Sequence, residues 1–525
     1  MKVLKKSILC CMIATMLLLG LSVGAFAAKV VEVPPADVYP EKQMAFDWLD
    51  QPEIFEKYGR MSDVIWTYAE LGMQEFKSSA LLADNLEKEG FKVERGMAGM
   101  PTCFVATYGS GSPVVGILIE YDALPMISQK ARVSYQDPLI QGAPGHGCGH
   151  NAQGPTGSAA AIAVKQAIDR YGLKGTVKVY GSPAEETLVS RPYMVRAGLF
   201  DGVDAVMDVH TGGSFGGGTL GGKRSNAMYS TEFIFRGVTA HGASPWGGKS
   251  ALDAVELMND ATNMLREHLY FTYRMHYVIP SGGEAPNIVP DYAKVWYFVR
   301  NTDERLPGMY EKVLNCARAG ALATGTELTV RVLTAIHQKR LNAALTTLVH
   351  QNCMLAGIPE WTDEEQAFAK EIQLARGRTP SGLPTKLGSL VEYDPTKVYT
   401  GSGSTDVAEV SCVVAEQGVR IPKGGAGAGE SGSGHHWASV AGTYGSTVWK
   451  GINATAKAVA GTTLDILTKP ELLGGIRADH AANTEQYGEY KSFLPDDAMP
   501  PNDLNRELMS KWRPKLEATY EVWPY

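Results

Sequence analysis

Short apolar runs alternate with stretches of helical periodicity along the first half of the chain. Val114–Ile119 is almost wholly apolar and runs into Glu120-Tyr121-Asp122-Ala123-Leu124-Pro125. That is the pattern of a buried parallel strand presenting polar groups at its carboxyl end. Val177–Tyr180 and Val203–Val209 repeat it, the first followed by Ser182–Glu186 and the second by His210. Gly154–Tyr171 reads as an alanine-rich helix closed by Gly172, and further helical patterns cover Ala45–Tyr58 and Ser79–Glu89. This alternation predicts an α/β fold with a mixed, mainly parallel sheet flanked by helices, in which sites collect at the carboxyl ends of strands.

The pattern changes at Gly212–Gly222, a glycine-rich stretch suited to a hinge or linker. Beyond it, Thr231–Phe235 alternates like a strand. Ala251–His268 reads as a helix, Val295–Val299 as a strand, Met309–Ala321 as a helix and Glu327–Leu333 as a strand. The order fits an α+β insert better than a continuation of the first sheet. Helix Leu341–Leu355 then returns the chain, and a last alanine-rich helix, Val440–Leu467, follows the Gly/Ser-rich segment 424–434. The expected division is 28–225 with 341–468 as one domain, 226–340 as the insert, and 469–525 as a polar C-terminal extension with a helical pattern at Leu504–Leu516.

Composition narrows the partners. With 44% hydrophobic and 20% charged residues among 525, the chain is an ordinary globular one, long enough for two cores. A formal net charge of −7 and the lack of a long basic run give no reason to bind nucleic acid, so a small molecule or peptide is the expected partner. Lys2, Lys5 and Lys6 precede an apolar run, Ile8–Leu21, and then Ala25-Phe26-Ala27. The run is shorter than the ~20 residues a membrane span needs. It reads as a cleavable signal peptide over residues 1–27, implying export to the periplasm or the exterior with no stable span afterwards. Five cysteines remain beyond it, odd in number and widely spaced, which is a poor disulfide framework.

Gly145-His146-Gly147-Cys148-Gly149-His150-Asn151 crowds a thiol and imidazoles into a glycine-rich turn, and Ser182-Pro183-Ala184-Glu185-Glu186 follows. Cys, His and Glu are the donors that zinc-like metals select. Two adjacent carboxylates allow one to bind metal while the other moves protons. A lone Cys-x-His also describes a buried thiol beside a hydrogen-bonded histidine, and a tandem Glu a solvated helix start. His210 at a strand end and His435 in Ser433-Gly434-His435-His436-Trp437 bring the plausible ligands to five, enough for one or two ions.

These segments resemble the M20 family of metallopeptidases and amidohydrolases, particularly its aminobenzoyl-glutamate hydrolase-like branch. Gly237-Val238-Thr239-Ala240-His241, Ala285–Asp291, Trp296–Arg300 and Gly403-Ser404-Thr405-Asp406 carry the likeness further, so that it spans roughly 40–470. The resemblance implies Cys148, His150, Glu186, His210 and His435 as ligands of two divalent ions, with Glu185 as general base. Zinc or manganese suits this set best, and cobalt or nickel is admissible. His436 stands in reserve for His435. By the same resemblance His241 stabilises the tetrahedral intermediate, often from a partner subunit, while Asn287 and Arg300 hold the substrate carboxylate. A homodimer through the insert is implied. The expected reaction is hydrolysis of an N-acyl amino acid, aminobenzoyl-glutamate or a related folate-type conjugate first. An aminoacylase, dipeptidase or carboxypeptidase, or a non-catalytic metal-containing binding protein, is the alternative. Asn151, where many relatives carry Asp, favours the aminobenzoyl-glutamate-like branch.

Overall fold

A computed structural model describes residues 29–396, 403–422 and 435–525. Residues 1–27, expected to be a signal peptide, and the Gly/Ser-rich segment 424–434 lie outside them. A six-stranded sheet organises the first unit. Glu416–Pro422, Ala205–Gly212, Val114–Ile119 and Gly175–Gly181 lie parallel in that order, and Phe104–Ser110 and Lys92–Arg95 continue it antiparallel. The three parallel strands expected from apolar runs are present. The fourth, Glu416–Pro422, is mixed in polarity and gave no such signal.

The helix His150–Tyr171 is buried along its first fifteen residues, His150 to Val164, which explains its small side chains. A Cβ at Gly157 would fall 2.3 Å from Ile119 of the sheet, and one at Gly154 would fall 2.5 Å from Leu82 of a flanking helix. Pro52–Tyr68 and Ser446–Thr468 pack against it and complete one apolar core. Two expected helices prove to be pairs. The pattern at Ala45–Tyr58 belongs to Pro40–Leu49 and Pro52–Tyr68, because Pro52 lacks the N–H a continuous helix needs and starts a new one. Val440–Leu467 is divided into Trp437–Ala441 and Ser446–Thr468 by Gly442–Gly445. Gly212–Gly222 is more than a linker. Its Gly218–Leu220 forms a strand parallel to Leu390–Glu392, which pairs in turn with Val30–Val31.

Residues 227–336 carry a separate antiparallel sheet in the order Arg274–Ser281, Tyr292–Asn301, Ala227–Arg236, Glu327–Ile336. Helices Ala251–Leu265 and Leu306–Thr324 cover it, around Phe233, Phe235, Tyr297, Met258 and Val313. Arg274–Ser281 is an edge strand with few inward apolar side chains, so no apolar alternation announces it.

The C-terminal extension is docked on both units. Met509, Trp512 and Leu516, on one face of the helix Arg506–Leu516, cover Ala69, Leu71, Ala123 and Ala143. Phe493 stacks on His337 with centroids 3.9 Å apart, and Asp503 pairs with Arg331 of the insert at 2.5 Å. Among the described residues, no helix is long and apolar enough to cross a membrane.

Candidate metal centre

The carboxyl ends of the parallel strands bring the site together. Val114–Ile119 delivers Glu120 and Asp122, Gly175–Gly181 delivers Glu185 and Glu186, and Ala205–Gly212 carries His210. Cys148 and His150 arrive on the turn that opens the long helix. Gly149, at φ 82°, is left-handed, and a Cβ there would stand 2.7 Å from Thr211, so this turn demands glycine. The Glu185–Thr187 turn is bracketed by Ala184 and Leu188, both left-handed at φ 57° and 60°. Strain of that kind at non-glycine residues is kept where a side chain must be aimed.

Ligand atoms of Cys148, His150 and His210 lie within 4.8 Å of one another, and so do those of Cys148, Glu186 and His435. The Cys148 sulfur is common to both groups. Sγ is 3.4 Å from His210 Nε2, and His435 Nε2 is 3.2 Å from Glu186 Oε2. Asp122 supports the set from behind. Its Oδ1 is 2.8 Å from His150 Nδ1, and its Oδ2 accepts the Glu186 backbone N–H at 2.9 Å. A proton on Nδ1 leaves Nε2 as the ligating nitrogen. His210 Nδ1 lies 2.8 Å from the Thr211 carbonyl and 3.0 Å from Arg420 Nη1, which leaves Nε2 facing the Cys148 sulfur. His150 Nε2 and Glu186 Oε1 are buried without a hydrogen-bond partner, as donors aimed at an ion would be. The residues present therefore fit one or two divalent ions.

The charges depend on one another. Burial raises the Cys148 thiol, but the imidazoles of His210 and His150 outweigh it and hold the group well below its ordinary value. Burial works against a charged His150, yet Glu120, Glu186 and Cys148 hold its pKa well above the usual one. Glu185 is raised well above the carboxylate range, by burial first and by Glu120 next, as a proton-accepting and proton-returning group requires.

His436 does not join the cluster; its ring accepts from Ala438 N at 3.3 Å and caps the helix Trp437–Ala441. His146 is buried, rests against the Ile65 carbonyl at 3.1 Å, and is pushed down to about 3 by burial. Asn151 points away to anchor other helices, donating to Ser62 Oγ at 2.9 Å and the Thr443 carbonyl at 2.8 Å. Arg300 reaches toward the centre from the insert. It packs over Phe298 and its Nε has no hydrogen-bond partner; burial lowers its pKa and the charge of Glu185 opposes that. His241 and Asn287 are not brought to the cluster. Both are exposed on adjoining loops of the insert, where Gly242 N donates to the Asn287 carbonyl at 2.8 Å and Ala243 N to His241 Nδ1 at 3.0 Å.

Sequence reasoning gave no role to Arg191, Glu120 or Asp406 behind the ligands. Arg191 is wholly buried, with Nη1 2.8 Å from Glu120 and 2.5 Å from Asp406. Asp406 ends the Gly-Ser-Thr-Asp motif and Glu120 opens Glu-Tyr-Asp, so both were visible as motifs without a function.

The family model described as peptidase family M20/M25/M40 matches residues 117–475. The chain belongs to peptidase family M20. Its relatives include one component of the p-aminobenzoyl-glutamate hydrolase of Escherichia coli, 35% identical over 85% of this chain and 96% of the relative. The Xaa-Arg dipeptidase of Mus musculus is 29% identical over 85% of this chain and 93% of the relative. A solved aminobenzoyl-glutamate utilization protein from Klebsiella pneumoniae shares the fold with a TM-score of 0.54 at 15% identity, covering 79% of this chain and 97% of that one. This M20 chain is a metallo-amidohydrolase.

Proposed function

We propose that this M20 enzyme hydrolyses the amide bond of an N-acyl amino acid, aminobenzoyl-glutamate or a closely related conjugate first. The convergence of Cys148, His150, Glu186, His210 and His435 on a shared sulfur, with Glu185 beside it, carries the reading. The five residues would hold two divalent ions, zinc or manganese, with Cys148 belonging to both ligand groups. Ions held there supply Lewis-acid chemistry, acidifying water and polarising a carbonyl. Glu185 accepts a proton from the attacking water and returns it to the departing amine. The Arg300 guanidinium, facing Glu185, clamps the free carboxylate of the amino acid. Asn287 assists it and His241 donates to the developing oxyanion, both brought in by movement of the insert or by a partner subunit in a homodimer. The insert 226–340 acts as lid and dimerisation unit, and the protein is exported with residues 1–27 removed.

Likeness to the mouse enzyme named Xaa-Arg dipeptidase supports a second reading, cleavage of dipeptides. A panel of aminobenzoyl-glutamate, Xaa-Arg dipeptides and simple N-acyl amino acids, assayed with added zinc or manganese, separates the two. The highest kcat/KM is expected on aminobenzoyl-glutamate. Glu185→Ala should lower kcat about 10²- to 10⁴-fold with metal content unchanged. Full turnover in that variant, or no amino acid released from any substrate, overturns the proposal.

A further inference from the structure

Glu120 poses a problem for the centre. Its Oε2 lies 3.2 Å from His150 Nε2, the nitrogen assigned to a metal, and Glu120, His150 and Glu185 form a third group with ligand atoms within 4.8 Å. Glu120 is thus close enough to become a further ligand. A carboxylate there would fill a position that water must occupy, since catalytic sites keep one position open.

We propose that Arg191 is a positioning residue that holds Glu120 off the metal and so keeps the coordination sphere open beside Glu185. The inference rests on the metal-centred reading above. The guanidinium is wholly buried, and its Nη1 forms an ion pair with the other Glu120 oxygen, Oε1, at 2.8 Å. The same nitrogen is fixed by Asp406 Oδ1 at 2.5 Å. Asp406 Oδ2 accepts the Arg191 backbone N–H at 3.1 Å and the Ser190 hydroxyl at 3.3 Å. Arg191 is therefore tied at both ends to one carboxylate and cannot follow Glu120 inward. Its charge is permanent, so Glu120 is always matched by a cation on the side away from the ions. Nε and Nη2 have no hydrogen-bond partner, an expense for a buried guanidinium that packing alone does not explain. Helix Ser190–Arg196 begins four residues beyond Glu186, so Arg191 follows closely on the strained turn that carries Glu185.

Cobalt(II) substitution tests this, because the visible absorption of bound cobalt weakens as its coordination number rises. Arg191→Met should bind cobalt with a weakened absorption and lose about 10- to 100-fold in kcat, with a smaller change in KM. Arg191→Lys should recover part of both. The double variant Arg191→Met/Glu120→Gln should regain the wild-type spectrum and most of kcat, which a purely structural role of Arg191 does not predict. A wild-type spectrum and kcat in Arg191→Met, or a double variant no better than the single one, overturns the proposal. Should Arg191→Met fail to fold by circular dichroism, Glu120→Gln with Arg191 intact decides. It should keep the wild-type cobalt stoichiometry and spectrum, and loss of cobalt would make Glu120 a ligand and end the idea. A wild-type protein that binds cobalt but hydrolyses nothing in the panel defeats the proposed function while the spectral comparison still reads.

Discussion

Cys148 carries an unequal share of the centre, because its sulfur belongs to both ligand groups while His435 belongs to one. Cys148→Ala should therefore abolish binding at both positions, whereas His435→Ala should cost about half of the bound metal. Elemental analysis of the purified variants distinguishes the two. Cys148, His150 and Glu185-Glu186 were legible in the sequence because a glycine-rich turn and a tandem carboxylate are unusual company for a strand end. Arg191 was not legible, since an arginine in a helix gives no sign that it will be buried against two acids. Asn151 favoured the branch to which the chain's relatives belong, and the structure gives it a packing role as well. Its amide donates to the Ser62 hydroxyl and the Thr443 carbonyl, and a carboxylate there would face that carbonyl with no proton to offer.

At the level of elements, what the sequence showed best were strands buried on both faces, because only they need near-continuous apolar runs. Arg274–Ser281 and Glu416–Pro422 escaped notice as strands that do not need them. The C-terminal helix Arg506–Leu516 looked like part of a polar tail, yet Met509, Trp512 and Leu516 recur at the spacing of one helix face and bury there. Arg513 adds an ion pair with the buried Glu70 at 2.7 Å. Trp512→Ala should cost about 3 kcal/mol of stability, measured by urea unfolding of the metal-loaded protein. A loss below about 0.5 kcal/mol, the range of ordinary surface substitutions, would show the extension to be only loosely docked.

The whole molecule should respond to pH through Asp63, which joins Pro52–Tyr68 to the last long helix by accepting from Gly445 N at 2.9 Å and Trp449 Nε1 at 3.1 Å. Burial pushes its carboxyl up to about 7, against the lowering effect of those two bonds. Because the folded value exceeds the unfolded one, this contribution is full below about pH 4 and is lost as the pH rises through about 7. Thermal midpoints across pH 4–8 should fall less steeply in Asp63→Asn than in the wild type. The α/β class and the α+β character of 227–336 were readable from periodicity. The fit between the units was not, because it depends on long-range contacts such as Phe493 on His337 and Thr334 on the Leu188 carbonyl.

A sulfur common to two groups of candidate ligands is also a single point of chemical failure. The imidazoles of His210 and His150 hold the Cys148 thiol well below its ordinary pKa, and thiolates are what peroxide attacks. Oxidation of that one atom would disrupt both ligand groups, while Cys103, Cys353 and Cys412 are buried and their thiols are pushed upward by burial. Chelator-treated protein should lose reconstitutable activity to peroxide faster than the loaded enzyme, with early losses reversed by a thiol reductant. Equal rates for the two forms would show that the ions do not shield the sulfur.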